Sequence, residues 1–355
     1  MMKKLIYIFA MLFLLTSCEF DFDIKGLDGE TKLYLECFPS NLDIFTISVR
    51  KAYPSQYAVT QDNLDPSVEK MIENGKLHFY VNDEEQELSY VIGSTTSACA
   101  SITLNPGDEA RIECRDDGID PISASCVVPE PVPSIFTLTN EKKDNRDYII
   151  IRYKAPESSK ERYYSVALWS HPVITRFTDS TRTEIKTIID TAGWYGVSLY
   201  TDFRYDTQWD TAGMKDLLPG LPSQMSGINI GNNEFTAFWK DSDAVPENDR
   251  MKMVRVESKN LIRSFDYEGI ELVSVGWKDV FPVKCYDRLE MQYKALLGSI
   301  DEDNFLYMRS KYDKMMNVSG EAGLAPTTFL HFNVKGGFGI VGGAHYTEAE
   351  LVLPE

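Results

Sequence analysis

The chain has 355 residues, of which 54 are acidic and 36 are basic, giving a formal charge of -18 at neutral pH. Nucleic acids and anionic lipid headgroups are therefore disfavoured as partners, because phosphate binding draws on clustered Lys and Arg side chains. Hydrophobic residues make up 43% of the chain and aromatic residues 12%, which allows substantial cores, and the length predicts two folded domains.

The chain begins with the layout of a signal peptide. A basic KK pair is followed by an apolar run at residues 5–15, far shorter than the ~20 residues that cross a bilayer as a helix. The segment LTSC, which ends at Cys18, resembles the bacterial lipobox, in which a diacylglyceryl group is attached to the cysteine and the peptide is cut just before it. We predict a signal peptide over 1–17 and lipidation of Cys18, with an ordinary secretory signal and an incidental cysteine as the alternative.

Acidic residues follow the cysteine directly, at Glu19, Asp21 and Asp23. This arrangement resembles the export signal with which Bacteroidetes send lipoproteins to the outer face of the outer membrane. We therefore predict a lipidated acidic tether over 18–28 and a lipid-anchored protein of the outer membrane at the cell surface. The alternative is a solvated acidic tether on the periplasmic face.

Short strand-like runs separated by turn signals fill residues 29–128. They read KLYLEC, IFTISVR, KLHFYV, ELSYVI, CASITL, DEARIECR and ISASCVV. Many short strands at this spacing favour a β-sandwich of immunoglobulin-like size. One helix interrupts them, because Asp65-Pro66 supplies a cap and a first-turn proline, and Asn74-Gly75 ends the apolar stripe.

Five cysteines remain after Cys18, and an odd number leaves at least one thiol free or pairs it between chains. Cys114 and Cys126 lie in neighbouring strand-like runs, so a disulfide between them is one alternative in an oxidising compartment. The other alternative is that all five thiols are buried and act as small hydrophobic groups. The sequence does not separate the two, because it does not show the strand register.

Three prolines in PEPVPS, at residues 129–134, resist both helix and central strand. We place a linker at 129–135 and a second, β-rich domain at 136–355, which carries two helices at about 285–316. The first apolar stripe with helical spacing comprises Tyr286, Leu289, Tyr293, Leu296, Leu297 and Ile300, and the second comprises Phe305, Met308, Tyr312 and Met315. We predict that both are amphipathic helices packed on a sheet.

An aromatic segment at residues 190–211, DTAGWYGVSLYTDFRYDTQWDT, has neither a helical nor a strand period. Aromatic rings offer a large contact area at low entropic cost, so they stack on sugars or anchor a protein partner. We predict a site for a partner, or for a glycan or peptide ligand, at Trp194, Tyr195, Tyr205 and Trp209. The alternative is a small satellite core under a long loop, since exposed aromatic patches are uncommon.

The closing stretch GGFGIVGG contains a formal GxGxxG match at Gly337, Gly339 and Gly342. A dinucleotide fingerprint needs a following helix and an acidic residue about 20 positions on, and too few residues follow here. We predict close backbone approach at these glycines instead. The sequence also has no metal-ligand spacing and no GxSxG, HExxH or P-loop motif, so we predict no metal, no cofactor and no enzymatic activity.

Several of these features together resemble a family of Bacteroidetes outer-membrane lipoproteins that is classed as a domain of unknown function. They are the lipobox cysteine, the KLYLEC strand, the run from LNPGDE to PEPVPSI, the YY-containing strand and the closing NVKGGFGIVGG. Family members are usually encoded beside a TonB-dependent receptor, so the resemblance implies a receptor as partner and no catalytic residues. The expected function is a receptor accessory or ligand-binding protein. The alternatives are a structural or adhesive surface protein, and a hydrolase whose catalytic carboxylates cannot be identified from the linear sequence.

Overall fold

The computed structural model describes residues 29–53, 66–90, 98–133, 136–143, 146–155, 160–190, 195–197, 236–246, 251–258, 261, 263–275, 279–316 and 329–351. Strands dominate these residues, which confirms the predicted mainly β class. The described residues contain two α-helices, and neither has the length and apolar character needed to cross a membrane.

Two sheets enclose one apolar core, which we call the N-terminal core. The first sheet contains β1 (Lys32–Cys37), β2 (Phe45–Ala52), β5 (Leu88–Tyr90), β6 (Ala98–Ala100) and β19 (Phe338–Val341), in the order β19-β1-β2-β6-β5. The second sheet contains β3 (Leu77–Val81), β4 (Glu84–Gln86), β7 (Glu109–Asp116) and β8 (Ile119–Val127), in the order β4-β3-β7-β8. In KLYLEC every second residue is buried, because successive side chains of a strand point to opposite faces.

Helix α1 (Pro66–Glu73) begins at the predicted proline. Met71 is buried and joins the N-terminal core. The helix ends as predicted, because Gly75 adopts a left-handed φ of 63° and its N–H donates to the carbonyl of Ile72 at 3.0 Å.

A seven-stranded sheet follows along the chain. It contains β11 (Tyr163–Phe177), β12 (Ile185–Asp190), β13 (Tyr195–Val197), β14 (Thr236–Lys240), β17 (Ser264–Val275), β18 (Asp279–Ile300) and β20 (Ala344–Glu350). Its main path is β12-β11-β18-β17, and β13 and β14 also pair with β11 while β20 pairs with β18. A four-stranded sheet contains β9 (Phe136–Lys143), β10 (Arg146–Lys154), β15 (Val245–Pro246) and β16 (Met251–Ser258), in the order β15-β16-β10-β9. A 3-10 helix spans Asp241–Asp243.

Part of the seven-stranded sheet is covered on both faces. One face packs on the four-stranded sheet in a second core, to which Ile149 and Leu297 belong. The other face packs on helix α2 (Glu302–Met316) in a third core, to which Leu296 and Phe305 belong. Helix α2 begins just after β18 and contains the second of the two predicted helical stripes.

The first of the two predicted C-terminal helices is wrong. Residues 286–300 lie in β18, a strand of 22 residues. Leu296 points into the third core and Leu297 into the second, so neighbouring residues are buried on opposite faces. A strand that is buried on both faces does not alternate between apolar and polar residues, and its apolar spacing here imitates a helical stripe.

The C-terminal segment, residues 329–351, returns to the N-terminal sheets. Strand β19 runs parallel to β1 and pairs Val341 with Cys37, and β20 then pairs antiparallel with β18. The described residues over 32–52 and from 66 onward form one compact unit. Independent folding of two domains about the linker at 129–135 stays a prediction.

The structure contradicts a disulfide between Cys114 and Cys126, since both are free thiols. They lie on neighbouring strands, but Cys114 pairs with Ile122 and Cys126 pairs with Ala110. This offset of four residues is about 13 Å along a strand, whereas bridged Cα atoms lie within ~7 Å of each other. Both thiols pack in the N-terminal core, and burial raises the pKa of Cys114 to about 12.

Candidate functional site

A cleft, which we call the junction cleft, opens between the N-terminal sheets and the seven-stranded sheet. Its volume is about 740 Å³, within the range of roughly 300–1,000 Å³ that is usual for small-ligand pockets. The turn at Gly107 and the end of β8 form one side, and the start of β11, the end of β18 and the start of α2 form the other. The charged lining residues are Glu130, Lys160, Glu161, Arg162, Asp301 and Glu302.

Chain geometry explains why charged residues collect there. Strand β8 ends at Val127, β11 begins at Tyr163 and β18 ends at Ile300. Segments that leave a sheet run over the surface and carry polar side chains. The tertiary arrangement brings these ends together, so the cleft has apolar walls from the strand ends and charged side chains from the connecting residues.

Asp301 links the cleft to helix α2. Its Oδ1 accepts the N–H of Asn304 at 2.8 Å, and its Oδ2 accepts the N–H of Gly343 at 2.6 Å. The first bond caps the helix, and the second holds the C-terminal segment against it. Burial raises the pKa of this carboxyl to about 7 against the effect of the two amide donors, and the nearby carboxylates of Asp303 and Glu302 add to the rise. Asp301 therefore changes its charge near neutral pH.

Tyr163 lies between two of the acidic lining residues. Its hydroxyl donates to Glu161 Oε2 at 3.0 Å. Burial raises the pKa of this hydroxyl, and the carboxylates of Glu161 and Glu302 raise it further, so Tyr163 stays protonated and acts as a donor. The main chain at Arg162 is fixed as well, because its carbonyl accepts the N–H of Asp241 at 2.9 Å.

Glycines of the C-terminal segment allow its backbone to reach the cleft. A Cβ at Gly343 would lie 2.5 Å from the carbonyl oxygen of Val127 and 3.1 Å from Asp301 Oδ2, and a Cβ at Gly339 would overlap the carbonyl oxygen of Leu35. Gly339 also has a φ of 114°, which L residues rarely adopt. These contacts confirm the predicted close backbone approach in GGFGIVGG.

A second polar cluster joins β1 to α2. The hydroxyls of Tyr34 and Tyr307 both donate to Glu36 Oε2, at 2.6 and 2.8 Å. Lys311 Nζ lies 3.7 Å from Glu36 Oε1 and 4.3 Å from the centroid of the Tyr307 ring, and burial lowers the pKa of Lys311. Because these groups satisfy one another in a half-buried position, the cluster positions α2, and with it Asp301, on β1.

His331 holds the C-terminal segment against Asp303, in the first turn of α2. His331 Nε2 lies 2.7 Å from Asp303 Oδ1, and Asn333 Nδ2 donates to Asp303 Oδ2 at 3.1 Å. Across the described ranges, no three His, Cys, Asp or Glu side chains form a group that could hold a metal ion. The bonds to Asp303 link the first turn of α2 to the C-terminal segment.

The structure describes only three of the site residues predicted from the sequence, which are Tyr195, Cys114 and Cys126. Those outside the described residues are Cys18, Glu19, Asp21, Asp23, Trp194, Tyr205 and Trp209. Tyr195 begins β13, where its backbone pairs with Ser170 of β11. The lipid anchor, the export signal and the aromatic site therefore stay predictions.

Sequence reasoning missed the junction cleft, because its lining comes from separate stretches of the chain. Two partial signals were present. The proline-rich linker contributes Pro129 and Glu130, and the acidic run DEDN contains Asp301 and Glu302. Neither stretch is a motif by itself, and only the return of the C-terminal segment brings them to one place.

Comparison with known protein families gives one match, to a domain of unknown function named DUF4249, over residues 18–350. No curated protein matches the chain. The matched range begins at the predicted lipid site and ends with strand β20, so it includes both the N-terminal sheets and the junction cleft. The match confirms the resemblance seen in the sequence at the level of a domain of unknown function. The chain belongs to the DUF4249 family.

Proposed function

We propose that this protein is a lipid-anchored, non-enzymatic binding protein of the outer-membrane surface that assists a TonB-dependent receptor and holds a ligand in the junction cleft. The observation that carries the proposal is the cleft itself. It is concave, partly apolar and partly charged, and strands and a helix position its lining, as in most sites for small ligands. In this proposal the N-terminal sheets form an immunoglobulin-like scaffold for one side of the site.

The predicted lipid anchor has a tether short enough to keep the protein beside a membrane receptor. Lys32, where β1 starts, follows Cys18 by only 14 positions. A chain spans at most about 3.5 Å per residue, so this tether reaches no more than about 50 Å. The anchored protein would therefore present its cleft within reach of the membrane-proximal part of a receptor.

The state of Asp301 favours binding over catalysis. Its carboxyl has a pKa raised to about 7, a value that suits general acid–base chemistry. Both of its oxygens, however, accept main-chain N–H groups, from Asn304 and Gly343. This arrangement suits a helix cap that also closes a wall of the cleft.

The cleft can be tested by filling it. Val127 lines the cleft and is 52% exposed, so Val127→Trp adds volume there while sparing the core, and Val127→Thr is the matched control. We would capture the full-length lipoprotein from detergent-solubilised outer membrane and identify co-purifying proteins and small molecules by mass spectrometry. We expect the wild type and Val127→Thr to retain a ligand that Val127→Trp loses. Identical recovery by all three proteins would contradict the proposal.

The anchor and the surface location need separate variants. Cys18→Ser should release the protein from the membrane fraction or leave it unprocessed, whereas normal maturation in the outer membrane would rule out lipidation. Replacing Glu19, Asp21 and Asp23 together with Ala should protect the protein from protease added to intact cells. Unchanged cleavage would rule out the export signal.

A further inference from the structure

We infer that the junction cleft selects ligands that carry an ammonium or guanidinium group on an apolar body, such as an aryl amine or a short basic peptide. This inference rests on the proposed function, because it assigns a ligand class to the same cleft. The argument combines the balance of charge in the lining with the character of its uncharged walls.

The lining has more acidic than basic side chains. Four carboxyl groups, those of Glu130, Glu161, Asp301 and Glu302, accompany two basic side chains. Within the described part of the chain, Glu130 is exposed and makes no hydrogen bond or ion pair, although its charge acts on the imidazole of His345, so its carboxylate is accessible to a ligand. The chain also has a formal charge of -18. A concave site with this charge concentrates cations and repels anions.

The uncharged part of the lining suits an organic ligand more than a bare ion. Val127 is 52% exposed and Pro129 is partly exposed beside it, whereas Val128 and Ile300 are buried where they border the cleft. Tyr163 also lines the cleft beside the acidic side chains, but it is only 8% exposed and its ring packs on Phe305 with 4.9 Å between ring centroids, so Val127 and Pro129 supply most of the accessible apolar surface. An ammonium group with an apolar stem therefore satisfies both parts of the lining at once.

The two basic residues define how a peptide would lie. Lys160 and Arg162 flank Glu161 on the segment that leads into β11. A peptide carboxylate would have to compete with the contact that Lys160 already makes, while a basic side chain meets Glu130 or Glu302. A simple amine would use only the acidic residues, so peptides and amines share the ammonium chemistry and differ in their dependence on Lys160 and Arg162.

The test uses detergent-solubilised full-length protein and isothermal titration calorimetry. The probes are Ala-Lys-Ala, Ala-Gln-Ala and Ala-Glu-Ala, which differ in one side chain, and phenethylamine as a simple amine. We expect Ala-Lys-Ala to bind at least about tenfold more tightly than Ala-Glu-Ala, which corresponds to about 1.4 kcal/mol. Preferred binding of either cationic probe supports the inference, and their ratio distinguishes a peptide ligand from an amine.

Two variants assign the effect to the cleft. Glu130→Gln and Glu302→Gln should each weaken binding of Ala-Lys-Ala about fivefold, a loss of about 1 kcal/mol. Glu290→Gln is the matched control, because it removes the same charge from β18 ten residues before Ile300, about 33 Å along the strand. Melting temperatures of all three variants would verify that they remain folded.

Three outcomes would overturn the inference. They are equal or tighter binding of Ala-Glu-Ala, binding that neither cleft variant changes, and no binding of any probe. Failure of the proposed function gives a different pattern, because then Val127→Trp would retain whatever the wild type captures from the membrane. A captured ligand that Val127→Trp loses but that proves to be an anion would refute the charge preference and leave the binding function intact.

Discussion

The two halves of strand β18 achieve burial in different ways. In the half next to α2, Ala295, Leu297 and Ile300 are at most 3% exposed and lie in the second and third cores. In the other half, Asp287 is also only 1% exposed, yet it is charged and paired with Arg176 of β11 at 2.9 and 3.0 Å. Buried side chains of β18 are thus apolar where another sheet or a helix covers each face of the strand. In the other half, a buried side chain is charged and forms an ion pair with a neighbouring strand.

The charged half is organised by strand register. Arg176, Asp287 and Tyr267 are opposite one another on β11, β18 and β17. The hydrogen bonds and charge of Arg176 lower the pKa of Asp287, and the thiol of Cys285 lies 3.6 Å from Asp287 Oδ2 as a further donor. A buried carboxylate needs such partners because its desolvation is costly. The comparison predicts different responses to substitution in the two halves.

The largest effect is expected from breaking the buried pair. Arg176→Ala leaves Asp287 charged and buried without its guanidinium partner, which should lower the free energy of unfolding by about 3–5 kcal/mol. Lys284→Ala is the control on the same half, because Lys284 pairs with Glu268 at 3.3 Å on an exposed surface, where solvent screens the pair and its loss should change stability little. Urea unfolding measures both, and equal losses would show that burial does not distinguish the pairs.

The next effect concerns the apolar half. Leu297→Ala removes a buried side chain from the second core and should cost about 2–5 kcal/mol. Leu289→Ala makes the same change on the same face of β18 in the charged half, where Leu289 is only partly buried, and should cost less than about 2 kcal/mol. If Leu289→Ala proves as costly as Leu297→Ala, the second half of the strand is covered as completely as the first.

Glycines provide a smaller comparison. A Cβ at Gly298, in the apolar half, would overlap Ser165 Oγ and lie 2.9 Å from Tyr346 Cε1, so Gly298→Ala should cost about 1–3 kcal/mol. At Gly269, which pairs with Cys285, a Cβ would lie 3.1 Å from one thiol sulfur. Gly269→Ala should therefore cost less than about 1 kcal/mol. Equal melting temperatures for the two variants would contradict the tighter packing of the apolar half.

The last effect is a dependence on pH where β18 passes into α2. The pKa of Asp301 is raised in the folded protein from 3.8 to about 7, so folding favours the protonated form, and this contribution to stability is present below pH 3.8 and lost as pH rises to about 7. Asp301→Asn removes this titration and also turns an amide group toward Gly343 N–H, at a cost of about 1–2 kcal/mol.

Calorimetric melting at several pH values would check this prediction. The wild type should lose stability between pH 4 and 7 relative to Asp301→Asn, so the difference between the two curves should shrink and then change sign as pH rises. Glu290→Gln is the control, because it removes a carboxylate from β18 that takes no part in the helix cap. Parallel curves for the wild type and Asp301→Asn would show that the Asp301 carboxyl is ionised throughout this range.

Local sequence patterns determined much of the N-terminal region. The alternation in KLYLEC identified the buried face of β1, and Pro66 and Gly75 marked the two ends of α1. These features depend on residues within one pleat or one helical turn, so they can be recognised without knowledge of the fold. The resemblance to a family of unknown function was equally available from residues along the chain, and the family match confirms it.

Only the tertiary structure decided the features that depend on what covers a strand or on which segments meet. Leu296 and Leu297 are adjacent in sequence, and their burial in opposite cores became clear once a sheet and a helix were seen on either side of β18. The register kept Cys114 away from Cys126. The hydrogen bond from Gly343 to Asp301 spans 42 residues. It closes the junction cleft because two glycines let the backbones approach. A local sequence pattern does not show this contact, because the two segments are distant along the chain.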